Sequence, residues 1–242
     1  MTDKDTAIVV VTGVLCVLFW IVAYCAIIYR GFRDRTFGMP ITALAANLSW
    51  EVSYAFFLDP LGDHIHLLSI PCFIIDLIIA WQCWNHGAQD FESPFVRKYF
   101  KAIFCGAVLV AFPVVYLAFS EFRDPLGEYT GFGINFMMSF LFVSMLLRRD
   151  GVGGQSMYVA VFKWLGTLFA WIATALTVTT SHTNPLPDSL WSFVSDSVTH
   201  TEYPLTRLIN VLYLVIFLVD ILYIVLLHSR LKARGIAPWR RF

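Results

Sequence analysis

Charge is scarce in this sequence: Asp, Glu, Lys and Arg together make up 14% of the chain, against roughly 25% in an average soluble domain. So low a share excludes a water-facing surface over most of its length. Cysteine is sparse too. Cys16, Cys25, Cys72, Cys83 and Cys105 all fall inside apolar runs and none forms a CxxC pair, which excludes a disulfide framework or a cysteine metal site. They read as small packing hydrophobes. Several catalytic signatures are missing: no DDxxD cluster to hold Mg²⁺ against a diphosphate, no HExxH, no Ser-His-Asp pattern, and no lysine in the last apolar run for a retinal Schiff base. The GVGG at 151–154 does not follow a strand and reads as a flexible loop rather than a phosphate cradle. His64 and His66 form an HxH without a third ligand, so no metal is expected there. A formal net charge of zero gives no reason to expect nucleic acid as a partner.

Long apolar runs are what the chain does have. Hydrophobic residues account for 58% of it, in seven stretches at about 7–29, 40–58, 65–84, 99–119, 129–147, 158–179 and 206–227. They are too long and continuous for membrane strands. The reading is all-α: a polytopic bundle of seven transmembrane helices, forming one domain over 1–242. Arg30, Arg33 and Arg35, then Arg97, Lys98 and Lys101, then Arg148 and Arg149, then five basic residues of the tail, alternate with loops holding only Lys4, Arg123 and Arg207 and ten acids. The basic side faces the cytosol, so the N-terminus is expected outside or in a lumen and the C-terminus in the cytosol. The first run is too long for a signal peptide and follows an acidic start (Asp3, Asp5), so it is expected to stay in place. The longest connection, about 180–205, carries Trp191, Phe193 and Val194 and reads as a short segment on the membrane surface or capping the bundle. DPLG occurs at Asp59–Gly62 and Asp124–Gly127, each suited to a type I turn. Pro71 and Pro113 fall within spans, where a kink is expected.

Three acids lie inside the apolar runs: Glu51, Asp76 and Asp220. An acid at the centre of a membrane helix costs about 2.5–3.5 kcal/mol on insertion scales. Counting 1.5 Å per residue, all three come near mid-depth. Lys163 and Arg207 are close enough to a span end to reach the interface, so no counter-charge is expected. A carboxyl without one, in low dielectric, favours its proton-carrying form and has the property of a general acid. Asn47 and Tyr54 border the face of Glu51; Ser69, Cys72 and Phe73 border that of Asp76; Asn210, Tyr213, Phe217 and Tyr223 border that of Asp220. A shared site is expected. Read from the residues alone, three functions stay open: acid-initiated chemistry on a lipophilic substrate, proton-coupled transport through buried carboxyls, and a seven-helix binding protein. Buried carboxyls that merely bond two helices together stay open as well.

Residues 32–60, FRDRTFGMPITALAANLSWEVSYAFFLDP, carry a pattern that resembles the signature region of the membrane-integral meroterpenoid cyclases of fungal pyripyropene-type and paxilline-type pathways and their bacterial relatives. The resemblance runs through Phe32, Asp34, Thr36, Gly38 and Met39, then Asn47, Trp50, Glu51 and Tyr54, then Pro60. The seventh run, with Asp220, resembles the family's last helix. Asp76 departs from the apolar residues of some members. The resemblance implies a membrane terpene cyclase in which Glu51 protonates a terminal epoxide or alkene of a prenylated aromatic or polyketide. Asp220 then acts as second acid, hydrogen-bond partner or counter-charge. Asn47, Trp50, Tyr54, Asp76, Tyr213 and Tyr223 would support these acids or line the pocket, with aromatic faces stabilising the cation. It implies no cofactor and no obligate protein partner, a lipophilic substrate within the bilayer, and residence in the endoplasmic reticulum of a eukaryote or the plasma membrane of a bacterium.

Overall fold

Helix is the only regular structure among the described residues of a computed structural model, which are 3–58, 69–183, 187 and 189–242. Eight α-helices follow one another: α1 (Asp3–Asp34), α2 (Ile41–Phe56), α3 (Ser69–His86), α4 (Pro94–Glu121), α5 (Glu128–Arg148), α6 (Met157–Thr183), α7 (Leu190–Thr199) and α8 (Arg207–Ala233). Local chemistry sets several of the ends. Ser93 caps α4 by accepting from the Val96 N–H, with Pro94 in the first turn. Thr206 caps α8 and Ser189 caps α7 in the same way. Pro113 lies inside α4, whose helical assignment continues on both sides.

Five helices are long and apolar enough to cross a membrane: Ala7–Asp34, Pro94–Glu121, Glu128–Arg148, Met157–Thr179 and Arg207–Ala233. Helix α2 has 16 residues and α3 has 18, and neither is among the five. The packing is that of a protein whose solvent is lipid. Val10, Val14 and Leu18 of α1, Leu109, Val110 and Val114 of α4, and Leu214 and Leu218 of α8 point outward. Ser49, Glu51, Ser53, Asp76, Gln82, Ser139, Lys163 and Asp220 point inward. Inside such a bundle a polar group must find a partner or serve a function. Helix α1 packs along α6, α2 against α3 and α4, and α5 against α8.

The arginine-rich end is closed by ion pairs and backbone contacts. Asp34 accepts from the Gly154 N–H at 2.9 Å and is paired with Arg30 and Arg241. Arg149 bonds Asp90 at 2.8 Å and the carbonyls of Phe37 and Gly153. The GVGG segment is therefore bonded into the bundle rather than left as a flexible loop. Gly154 has φ +72°, and a Cβ there would lie 2.5 Å from the Phe37 carbonyl oxygen. Phe32–Met39, the first half of the signature, thus builds this end of the molecule.

At the opposite end, α7 occupies the long connection. Its Phe193 packs on Trp171, Asn210 of α8 donates to its Ser197 carbonyl, and its Trp191 is 80% exposed. The helix therefore both caps the bundle and presents an outward tryptophan. The HxH at His64 and His66, and the first DPLG, lie outside the described residues.

Candidate active site

The second half of the signature lies on α2, whose buried face carries Ala43, Ala46, Ser53 and Glu51. Ser49 and Ser53 turn back to donate to the carbonyls of Ala45 and Ser49, which satisfies their hydroxyls inside the helix. Among the described residues Glu51 has no such partner. It is 7% exposed, and its Oε2 is buried without a hydrogen bond. It lines a cavity of about 390 Å³. The walls come from α1 (Trp20, Tyr24), α2 (Asn47, Trp50), α3 (Cys72, Ile75), α5 (Phe132, Asn135, Met138) and α6 (Thr167, Ala170).

Polar groups back two sides of this chamber. Asn47 donates through Nδ2 to Asp76 Oδ2 at 2.6 Å, and the same nitrogen lies 2.9 Å from the Tyr24 hydroxyl. Asp76 is fully buried, and among the described residues its Oδ1 has no partner. The turn that leads into α5 borders the same chamber. Asp124 accepts from the N–H groups of Tyr129 and Thr130, from the Thr130 hydroxyl at 2.9 Å and from the Tyr203 hydroxyl at 3.0 Å. Trp50 donates to Thr130 Oγ1 at 3.0 Å, and Tyr54 donates to the Pro125 carbonyl at 3.0 Å. Gly127 has φ +73°, and a Cβ there would lie 2.7 Å from the Tyr54 hydroxyl and 2.8 Å from Trp50. Only glycine fits that position. The turn delivers Glu128 to the chamber wall, where the Thr174 hydroxyl donates to its Oε1 at 2.9 Å.

The structure brings some of the sequence-predicted residues together and separates others. Glu51, Asn47 and Trp50 line the cavity, and Asp76 stands behind Asn47. Tyr54 stacks beneath Trp50 at 4.3 Å and is not part of the wall. Tyr213 stacks on Trp171 at 5.0 Å, behind the wall residue Phe132. Tyr223 is buried against Phe142, with its hydroxyl on Gln155. Asp220 is also apart from the cavity. Both its oxygens accept from Lys163 Nζ, at 2.7 and 2.8 Å.

That ion pair corrects the expectation that no lysine lies at the depth of the buried acids. Lys163 is 1% exposed and does not reach the interface, because Asp220 and the Ser139 hydroxyl, 2.7 Å away, hold it inside. The pair connects to the cavity by short links. Ser139 donates to the Asn135 carbonyl, Thr167 donates to the Lys163 carbonyl, and Asn135 Nδ2 donates to Thr167 Oγ1 at 2.7 Å. Asp220 thus sits behind the wall that Asn135 and Thr167 form. Sequence reasoning also missed Glu128, which it counted among the loop acids; its position directly after the second DPLG, at the head of a span, was the available signal. Among the described residues no cluster of three His, Cys, Asp or Glu side chains is placed to hold a metal ion.

Residues 4–229 match the family described as Pyr4-like transmembrane terpene cyclases. The chain is 27% identical over 157 residues to the Pyr4-family terpene cyclase mfmH of Annulohypoxylon moriforme, covering 63% of this chain and 64% of that protein. It is 24% identical over 159 residues to asnovolin H synthase nvfL of Aspergillus novofumigatus, covering 64% and 65%. With the terpene cyclase terB of Tolypocladium album it shares 24% identity over 207 residues, 78% of this chain and 86% of that one. The chain therefore spans under two thirds of the length of the first two relatives. No solved structure matches it.

Proposed function

This chain belongs to the Pyr4-like transmembrane terpene cyclases, and on that premise we propose that it cyclises a prenylated aromatic or polyketide by protonating the terminal epoxide or alkene of the prenyl chain from Glu51. The observation that carries this reading is the buried, unpartnered Oε2 of Glu51 on the wall of an apolar chamber. A carboxyl kept there purely for structure would be expected to have a protein partner. Asn47 donates to Asp76 and so fixes it while leaving Glu51 free.

The reaction then follows from the surroundings. Protonation creates a carbocation, and successive π bonds close rings onto it. Trp20, Tyr24, Trp50 and Phe132 present aromatic groups to the chamber; each can stabilise a desolvated cation by about 0.5–2 kcal/mol. The apolar lining limits water that would trap the cation early. Asp220 serves as counter-charge to Lys163 and holds the wall behind Asn135 and Thr167 in shape. The protein sits in the membrane with seven crossings, its arginine-rich end in the cytosol, in the endoplasmic reticulum of a eukaryotic host or the plasma membrane of a bacterial one. Its substrate reaches the chamber as a lipophilic solute, and the acid-initiated route requires no metal.

The test uses microsomes holding the protein and a panel of farnesylated and geranylgeranylated aromatics, with and without a terminal epoxide. Cyclisation by proton gain and loss leaves the mass unchanged, so LC–MS is searched for a new isomer at the substrate's mass. Wild type should form it and Glu51→Gln should not. An isomer formed equally by both proteins would remove Glu51 from the chemistry.

A further inference from the structure

We propose that Glu128 is the base that ends the cascade, accepting the proton that the final cation loses. The inference rests on the reading of Glu51 as the acid and extends it to the other end of the reaction.

Three features carry it. Glu128 lines the same chamber as Glu51 but from a different element, the first turn of α5 rather than the middle of α2. Both carboxyls therefore face one chamber from two different helices. Their settings also differ in the sense that the two roles require. Glu51 Oε2 has no donor among the described residues, which suits a proton-carrying acid. Glu128, in the first turn of α5, receives a hydroxyl donor from Thr174 at 2.9 Å. Finally, its position is built. Asp124 organises the turn through four donors, and Gly127 takes a backbone conformation and a close approach that exclude a side chain.

The step balances. Glu51 gives its proton to the epoxide oxygen, whose C–O bond breaks to leave a hydroxyl and a cation, or to an alkene carbon, whose π pair forms the new C–H bond, and each ring closure then forms a C–C σ bond from a π pair. At the last cation an adjacent C–H bond breaks. Its electron pair becomes a C=C bond and its proton goes to a Glu128 carboxylate oxygen. One proton enters the substrate and one leaves it, and exchange with water returns the two carboxyls to their starting forms.

Glu128→Gln keeps the shape and removes the basic oxygen. With the prenylated aromatic that wild type converts, it should form the wild-type isomer about 100-fold more slowly or worse. Substrate should still be consumed, into an isomer with its double bond elsewhere or a product heavier by one water, with KM little changed. Glu128→Asp should recover the wild-type isomer in part, and Thr174→Val should shift the product ratio only slightly. Unaltered product and rate in Glu128→Gln would overturn the proposal. So would a raised KM with the same single product, which would make Glu128 a group that binds the substrate's polar head. If Glu51→Gln leaves the isomer intact while Glu128→Gln abolishes it, the reading of Glu51 fails and this assignment of roles fails with it. A full loss of conversion in Glu51→Gln beside an unchanged Glu128→Gln would sink the base alone.

Discussion

At the arginine-rich end, Asp34 and Asp90 are each matched by arginines at short range; around the cavity, Glu51, Asp76 and Glu128 have no cation beside them among the described residues. Asp220 belongs with the first group despite its depth, because Lys163 engages both its oxygens. The difference separates acids that hold the bundle together from acids that the bundle holds in place. A paired acid inside a low-dielectric interior is tied to its partner, and removing either leaves a stranded charge. An acid without a cation beside it has no such tie.

The comparison predicts opposite mutational behaviour on its two sides. The largest stability effect is expected at the buried pair. Lys163→Met or Asp220→Asn alone should cost about 3–5 kcal/mol, read as earlier thermal unfolding in detergent micelles. The double variant Lys163→Met/Asp220→Leu should regain most of that and keep measurable cyclisation, since its shape is restored without charge. A stable but wholly inactive double variant would instead make Asp220 a participant in proton transfer. Next comes Asp34→Asn, which weakens contacts to Arg241 and Gly154 and should cost about 1.5–3 kcal/mol, with the product isomer unchanged. Gly127→Ala forces a side chain into a left-handed turn, at about 1–2 kcal/mol. It also displaces Trp50 and Tyr54, so product formation should fall more than stability does. Smallest is Tyr54→Phe, which loses one hydrogen bond to the Pro125 carbonyl, about 0.5–1.5 kcal/mol, and should leave the isomer pattern as it is.

These residues also show how far one sequence can be read. The helical bundle and Glu51 were legible because a carboxylate within an apolar run stands out against the cost of putting it there. Asn47 followed from helical spacing around it, and Trp50 from the resemblance of residues 32–60. Tyr213 and Tyr223 were placed on the same side of α8 as Asp220, but spacing along one helix does not say which neighbour that side meets. It meets Lys163, Trp171 and Phe142 rather than the cavity. Lys163 was assigned to the interface from its distance to a span end, a rule that holds for a lipid-facing lysine and fails for one turned inward toward an acid. Glu128 was hidden among the charges of a loop, and only the turn built by Asp124 and Gly127 shows that it points into the chamber. In the signature, Asp34, Gly38 and Met39 stood beside Glu51 as one motif. The fold divides it into a closure at one end and a wall of the cavity.

On the proposed reading, Glu51 is kept unpaired for chemistry and contributes little to the fold. That reading is tested most directly by measuring isomer formation on a Glu51→Gln protein shown by thermal unfolding to be folded. The account predicts that the isomer disappears, by at least about 100-fold, while the unfolding midpoint stays at or above that of wild type. A variant that still forms the isomer at the wild-type rate, or one that loses it only because it no longer folds, would contradict the account.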